Sequence, residues 1–83
     1  MVAAIDSAQR RLRWQCRRGL LELDWLLERF LDRDYPTLSA AERQAFEQLL
    51  SYPDPQLQWW LLEGGRAEAP ETLRGVIELC LQA

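Results

Sequence analysis

Leu20-Leu21-Glu22-Leu23-Asp24-Trp25-Leu26-Leu27-Glu28-Arg29-Phe30-Leu31-Asp32 is the stretch from which the fold of this 83-residue chain is read. Leu20, Leu23, Leu27, Phe30 and Leu31 recur at the 3.6-residue period of an α-helix, and Leu26 widens the stripe. Leu21 and Trp25 fall off it. The helix is therefore apolar on more than one side, and it reads as the central one of the domain.

Downstream, Pro36 disfavours helical geometry at Tyr35 and closes this helix. Ser39-Ala40-Ala41-Glu42 is a capping box preceded by a possible staple residue, Leu38. Ala41, Ala45, Phe46, Leu49 and Leu50 then predict a third helix, ended by Tyr52-Pro53. Asp54 as cap with Pro55 at the first helical position predicts a fourth helix carrying Leu57, Trp60 and Leu61, stopped by Gly64-Gly65. Pro70 opens a fifth, with Leu73, Val76, Ile77, Cys80 and Leu81 on one face. Trp59 and Trp60 are adjacent and cannot both face the core. Trp60 matches the Leu57–Leu61 face, which leaves Trp59 partly exposed.

Upstream, Asp6 or Ser7 can cap a first helix running to about Arg17, with Ala8, Leu12 and Cys16 on one face. Gly19 marks a break or a sharp bend, because glycine is unfavourable inside a helix and favoured just past its end. Short connections between five short helices imply a compact, all-α bundle forming one small domain over residues 1–83, with residues 1–5 frayed. A chain of this size buries only roughly 60–65% of its unfolded surface, so modest net stability is expected.

The charge is uneven. Residues 1–19 carry five arginines against one acid, and residues 20–83 carry five arginines against twelve acids. The net charge of −3 thus hides a basic patch, Arg10 to Arg18, on an acidic body. Nucleic-acid binders usually carry a basic excess over the whole domain, so the patch suggests steering toward an acidic protein surface or an anionic ligand. The bland alternative is a solvated helix face. No histidine is present, which removes the usual general base and metal ligand. Cys16 and Cys80 match no redox or zinc spacing and read as buried packing residues. No metal site and no enzyme activity are expected. No run approaches the ~20 apolar residues of a membrane span. The Arg-rich beginning lacks the serines of a transit peptide and merges into the folded segment, so a cytoplasmic location is expected.

Arg18 and Glu22 lie four apart, which on a continuous helix would give a weak exposed ion pair. If Gly19 breaks the helix, Arg18 sits on the rim of a corner and Glu22 in the first turn of helix two, where a carboxylate suits the helix dipole. Such a corner offers a cation, bare backbone and an acceptor together, which makes it a recognition surface. Trp14 points away from the Leu12–Cys16 face. It reads either as a core residue or as an interface anchor. Asp24 is open between solvent and a helix-one arginine.

Trp14-Gln15-Cys16-Arg17-Arg18-Gly19-Leu20-Leu21-Glu22-Leu23-Asp24 resembles the signature of the SdhE-type FAD assembly factors, R-G-x-x-E within W-x-C-R-R-G-[M]-x-E-L-D. The resemblance continues through Phe30, the Leu38-Ser39-x-x-Glu42 cap, Phe46-x-x-Leu49-Leu50 and Asp54-Pro55-x-Leu57-x-x-Trp60-Leu61. It spans roughly residues 8–81. It implies a five-helix fold and a bacterial chaperone that binds the flavoprotein subunit of succinate dehydrogenase, and also of fumarate reductase. That chaperone promotes covalent attachment of FAD to a client histidine. Arg18, Gly19 and Glu22 would face the client, extended by Trp14, Arg17 and Arg11. FAD would belong to the client, and this chain, a monomer, would hold no cofactor, nucleic acid or membrane segment of its own. Leu20 replaces the methionine usual after the glycine, a volume-conserving exchange. Trp25 and Trp59 stand outside the pattern. The family also includes proteins described as antitoxins of a small membrane-associated toxin, which gives the competing reading of an interaction protein of another class.

Overall fold

The computed structural model describes residues 7–82, with side chains from Arg10 onward. Asp6 as a cap, the packing of Ala8 and the fraying of residues 1–5 lie outside the described residues. Five helices follow in order: α1 (Ser7–Gln15), α2 (Leu21–Arg33), α3 (Ala40–Leu49), α4 (Asp54–Leu62) and α5 (Glu71–Leu81). Short 3-10 turns at Tyr35–Thr37 and Arg66–Glu68 fill two of the connections, and no strand occurs among the described residues. The radius of gyration is 12.3 Å, close to the ~12 Å of a compact chain this long.

Local chemistry sets most of the boundaries. At α3 the Ser39 hydroxyl accepts the Glu42 N–H at 3.2 Å, and the Glu42 carboxylate accepts the Ser39 N–H at 2.9 Å. This reciprocal cap is the one the sequence announces. The start of α4 differs. Pro53 occupies the cap position and Asp54 is the first helical residue, with no side-chain cap bond. The Asp54 carboxylate is drawn instead to Arg18, whose Nε lies 3.1 Å away.

The end of α4 explains Trp59. Gly64 takes a φ of +86°, the left-handed geometry that favours glycine. Gly65 follows, its N–H donating to the Trp59 carbonyl at 2.9 Å. The Trp59 indole lies so close over Gly65 that a Cβ there would meet the ring at 2.0 Å. The indole N–H reaches the Glu68 carboxylate at 3.3 Å. Trp59 therefore roofs the glycine turn, while Trp60 goes into the core.

The core is assembled around α2, which contributes Leu23, Leu26, Leu27, Phe30 and Leu31 and meets both α4 and α5. α3 packs against α5. Phe46 of α3 is fully buried, its ring centroid 4.9 Å from that of Phe30 and 5.7 Å from that of Tyr35. Leu73, Val76, Ile77 and Cys80 close the core from α5, with Leu81 half-buried. Tyr52 caps it edge-on to Trp60 at 5.0 Å. α2 is central to the core, as its apolar stripe implies. Its second apolar side is not covered, and Leu21 and Trp25 remain exposed.

The core makes a stability prediction. Phe46→Ala removes the central ring of an aromatic trio and should cost about 3–5 kcal/mol, read as a lowered midpoint in urea unfolding. Trp14→Ala, at an exposed position, should stay within about 0.5 kcal/mol of the parent.

Candidate functional site

α1 ends at Gln15 and α2 begins at Leu21, and the segment between them is the corner anticipated around Gly19. Gly19 has a φ of +83°, so the chain turns there in the left-handed region. Nothing lies within 4 Å of where its Cβ would be. Gly19 thus breaks the helix and presents open backbone.

Two contacts hold the corner in shape. The Asp24 carboxylate accepts the backbone N–H groups of Arg18 at 2.6 Å and Gly19 at 3.2 Å. Asp24 is therefore part-buried and engaged by backbone amides, with no arginine side chain paired to it among the described residues. It stands in for the backbone partners that two successive amides lose at a helix break, and as an acid in the first turn of α2 it also complements the dipole. The second contact is the Arg18 side chain. One terminal nitrogen donates to the carbonyls of Leu50 at 2.8 Å and Tyr52 at 2.7 Å, and Nε lies 3.1 Å from Asp54. That Nε is buried without a well-aligned hydrogen bond, so its tie to Asp54 is an ion pair by charge and distance alone. The Leu50 and Tyr52 carbonyls lie at the C-terminal end of α3, where a cation is favoured.

Arg18 was expected on the rim, as a displayed cation. Its side chain is only 15% exposed and spans from the corner to the α3–α4 turn. No ion pair joins it to Glu22. Glu22 is exposed in the first turn of α2, and no hydrogen bond or ion pair engages its carboxylate among the described residues. Trp14 is exposed, which decides its two readings in favour of the surface. Arg11 is exposed as well. Arg17 lies 3.6 Å from Glu28, and Arg13 is bonded to Asp32, which raises the Arg13 pKa. Three of the five clustered arginines are thus neutralised within the chain.

Sequence reading missed Asp24 as an amide acceptor and the Leu50–Tyr52–Asp54 receptor for Arg18. The only sequence signal for the latter was an acid beside two prolines at a helix start, which capping already explained. Below the corner, Cys16 and Cys80 are buried free thiols, as expected. Burial pushes the Cys16 thiol up to about 12, and Cys80 is raised by the same cause. Among the described residues no group of three or more His, Cys, Asp or Glu side chains is placed to hold a metal ion. No described helix is long and apolar enough to cross a membrane.

Residues 10–82 match the family model described as the flavinator of succinate dehydrogenase. The chain belongs to this family. Among its relatives, the FAD assembly factor SdhE of Coxiella burnetii is 48% identical over 64 residues, covering 77% of this chain and 78% of that protein. The protein of the same description from Idiomarina loihiensis is 44% identical, covering 76% of this chain and 70% of its own length. That from Aliivibrio fischeri is 45% identical, covering 82% and 77%. No solved structure matches the chain. The match to the family model includes the whole corner, from Arg11 to Asp24.

Two measurements follow from this geometry. Asp24→Ala leaves two backbone N–H groups without their acceptor, one bond part-buried. It should cost about 1–2 kcal/mol and speed amide exchange at Arg18 and Gly19 before other sites. In the folded chain neither thiol should react with a water-soluble disulfide reagent at pH 8, while both should react in denaturant.

Proposed function

We propose that this chain is an assembly chaperone that binds the flavoprotein subunit of succinate dehydrogenase and promotes covalent attachment of FAD to a histidine of that subunit. The fumarate reductase flavoprotein is a second client of the same kind. The observation that carries the reading is the exposed Gly19 corner, held rigid from within, in a chain of the flavinator family. The chain has no histidine. The covalent step joins client and flavin, and this chain supplies no atom to it and holds no FAD of its own.

In this reading the open backbone at Gly19 lets the client approach closely, and Glu22 offers it an unengaged carboxylate. Trp14, Arg11 and Arg17 extend the contact along α1. Arg18 belongs to the same motif through the corner it fixes. The chaperone's contribution is positional. Holding the client segment in a reactive arrangement removes part of the entropic barrier, an effect that can reach several kcal/mol. The site of action is the bacterial cytoplasm, with the chain acting as a monomer.

Coexpression with a succinate dehydrogenase flavoprotein subunit, followed by in-gel flavin fluorescence after denaturation, tests the proposal. Wild type should raise covalent flavin above the level without the factor. Gly19→Arg, which fills the open backbone, and Glu22→Ala should each lower it about tenfold, a loss of roughly 1.4 kcal/mol of coupling. Flavin levels equal to wild type in both variants would show that the corner is not the working surface.

A further inference from the structure

Among the described residues, the most exposed large apolar side chains are concentrated beside the corner. Leu21 is 86% exposed, Trp14 74% and Trp25 60%, whereas Trp59 and Leu62 of α4 reach only 38% and 37%. Helix register sets all three opposite the core. Leu21 and Trp25 are one turn apart on α2, each roughly 160° around the axis from Leu23 of the core. Glu28 and Asp32 continue their stripe. Trp14 lies similarly opposite the Leu12–Cys16 face of α1. Arg13 of α1 and Arg17 just beyond it pair with Asp32 and Glu28 in antiparallel order, which sets the first segment beside the stripe of α2 that carries Leu21 and Trp25.

Trp25 is also held in place. The Arg29 guanidinium stacks 4.3 Å from its ring centroid, and the Arg29 Nε is buried without a hydrogen-bond partner. A ring fixed before a partner arrives loses less freedom on binding. The charge around the patch is largely cancelled, because Arg13, Arg17 and Arg18 each face a carboxylate. Among the described residues no ion pair engages Arg10, Arg11 or Glu22, which leaves a thin rim of mixed sign around an apolar centre.

We infer that the outward face of α1 and α2, centred on Trp14, Leu21 and Trp25, is an apolar docking surface for the flavoprotein client. Association through it is driven by burial of these side chains and depends only weakly on salt. This rests on the flavoprotein reading above and adds to it the residues of α2 that the family motif does not include. A second copy of this chain is the poorer occupant. Two tryptophans and a leucine present roughly 400–500 Å², against about 800 Å² per partner in a stable interface. A two-fold contact centred on the patch alone falls short of that size. A larger partner can enclose the α1–α2 corner and gather Arg10, Arg11, Glu22 and the Gly19 backbone at the rim, continuous with the proposed contact.

The test is a titration of the full chain with purified, FAD-free succinate dehydrogenase flavoprotein subunit, read by calorimetry. Trp25→Gln and Leu21→Gln should each raise Kd about tenfold or more. They should keep the thermal midpoint within a few degrees, because both side chains are mainly solvent-facing. Between salt concentrations on the order of 50 and 300 mM, the wild-type Kd should change less than about threefold. If wild type binds but both variants bind equally well, the apolar surface is wrong while the flavoprotein reading stands. A Kd that weakens tenfold or more over the same salt range also overturns it, in favour of charge-led docking. If wild type does not bind the subunit, the flavoprotein reading fails and this inference fails with it. A wild-type dimer in sedimentation that Trp25→Gln dissociates would assign the patch to a second copy instead.

Discussion

The Arg18 guanidinium, set between the end of α3 and the start of α4, is the contact on which the placement of the corner depends. A charge this far from water is tolerated only when it is paired and hydrogen-bonded. Here two carbonyls and a carboxylate provide those partners. The carbonyls follow the end of one helix and the carboxylate begins the next, so a single side chain ties the α1–α2 corner to the α3–α4 turn at one point. The backbone N–H of the same residue is taken by Asp24 of α2. Arg18 is thus fixed at both its main chain and its side chain, and the left-handed turn at Gly19 has little freedom to relax.

This arrangement changes the nature of the surface. In sequence, the stretch from Arg10 to Arg18 is a basic patch. In the fold, much of that charge serves the chain itself: Arg18 anchors the corner, and Arg13 and Arg17 bind α1 to α2. What faces outward is apolar and nearly neutral at its centre. A net count of charges along a segment does not reveal which of them are already satisfied, and that distinction separates an electrostatic landing site from one that works by exclusion of water.

The helices were legible because each carries its signals locally. The Ser39–Glu42 box, the Gly64 stop and the α2 stripe involve residues within a turn or two, where spacing alone dictates contact. The choice of Trp60 over Trp59 for the core followed from the same logic. The assignments that failed depend on distant partners. Asp54 has the identity of a cap and was read as one, yet its carboxylate turns to Arg18, 36 residues before it. Asp24 read as either solvent-facing or paired with a helix-one arginine, whereas the helix break created two amides beside it that it accepts. Leu21 and Trp25 make α2 apolar on a second side, but no described element covers that face. Periodicity shows that a face is apolar and cannot show whether something within the same chain lies against it.

The Arg18 anchor also has a consequence for the order of assembly. Its hydrogen bond to Leu50 joins residues 32 apart, and closing a loop of that length costs about 3 kcal/mol in chain entropy beyond the constant term. The receiving carbonyls exist as a pair only after α3 has formed and turned into α4. Among the described side chains of the first segment, Leu12 of α1 and Cys16 just beyond it are buried. The Arg18 side chain therefore finds its partners only on a surface that α3 and α4 together make. The corner is complete only when all of these elements are in place, which makes an anchored Arg18 the mark of a fully folded chain.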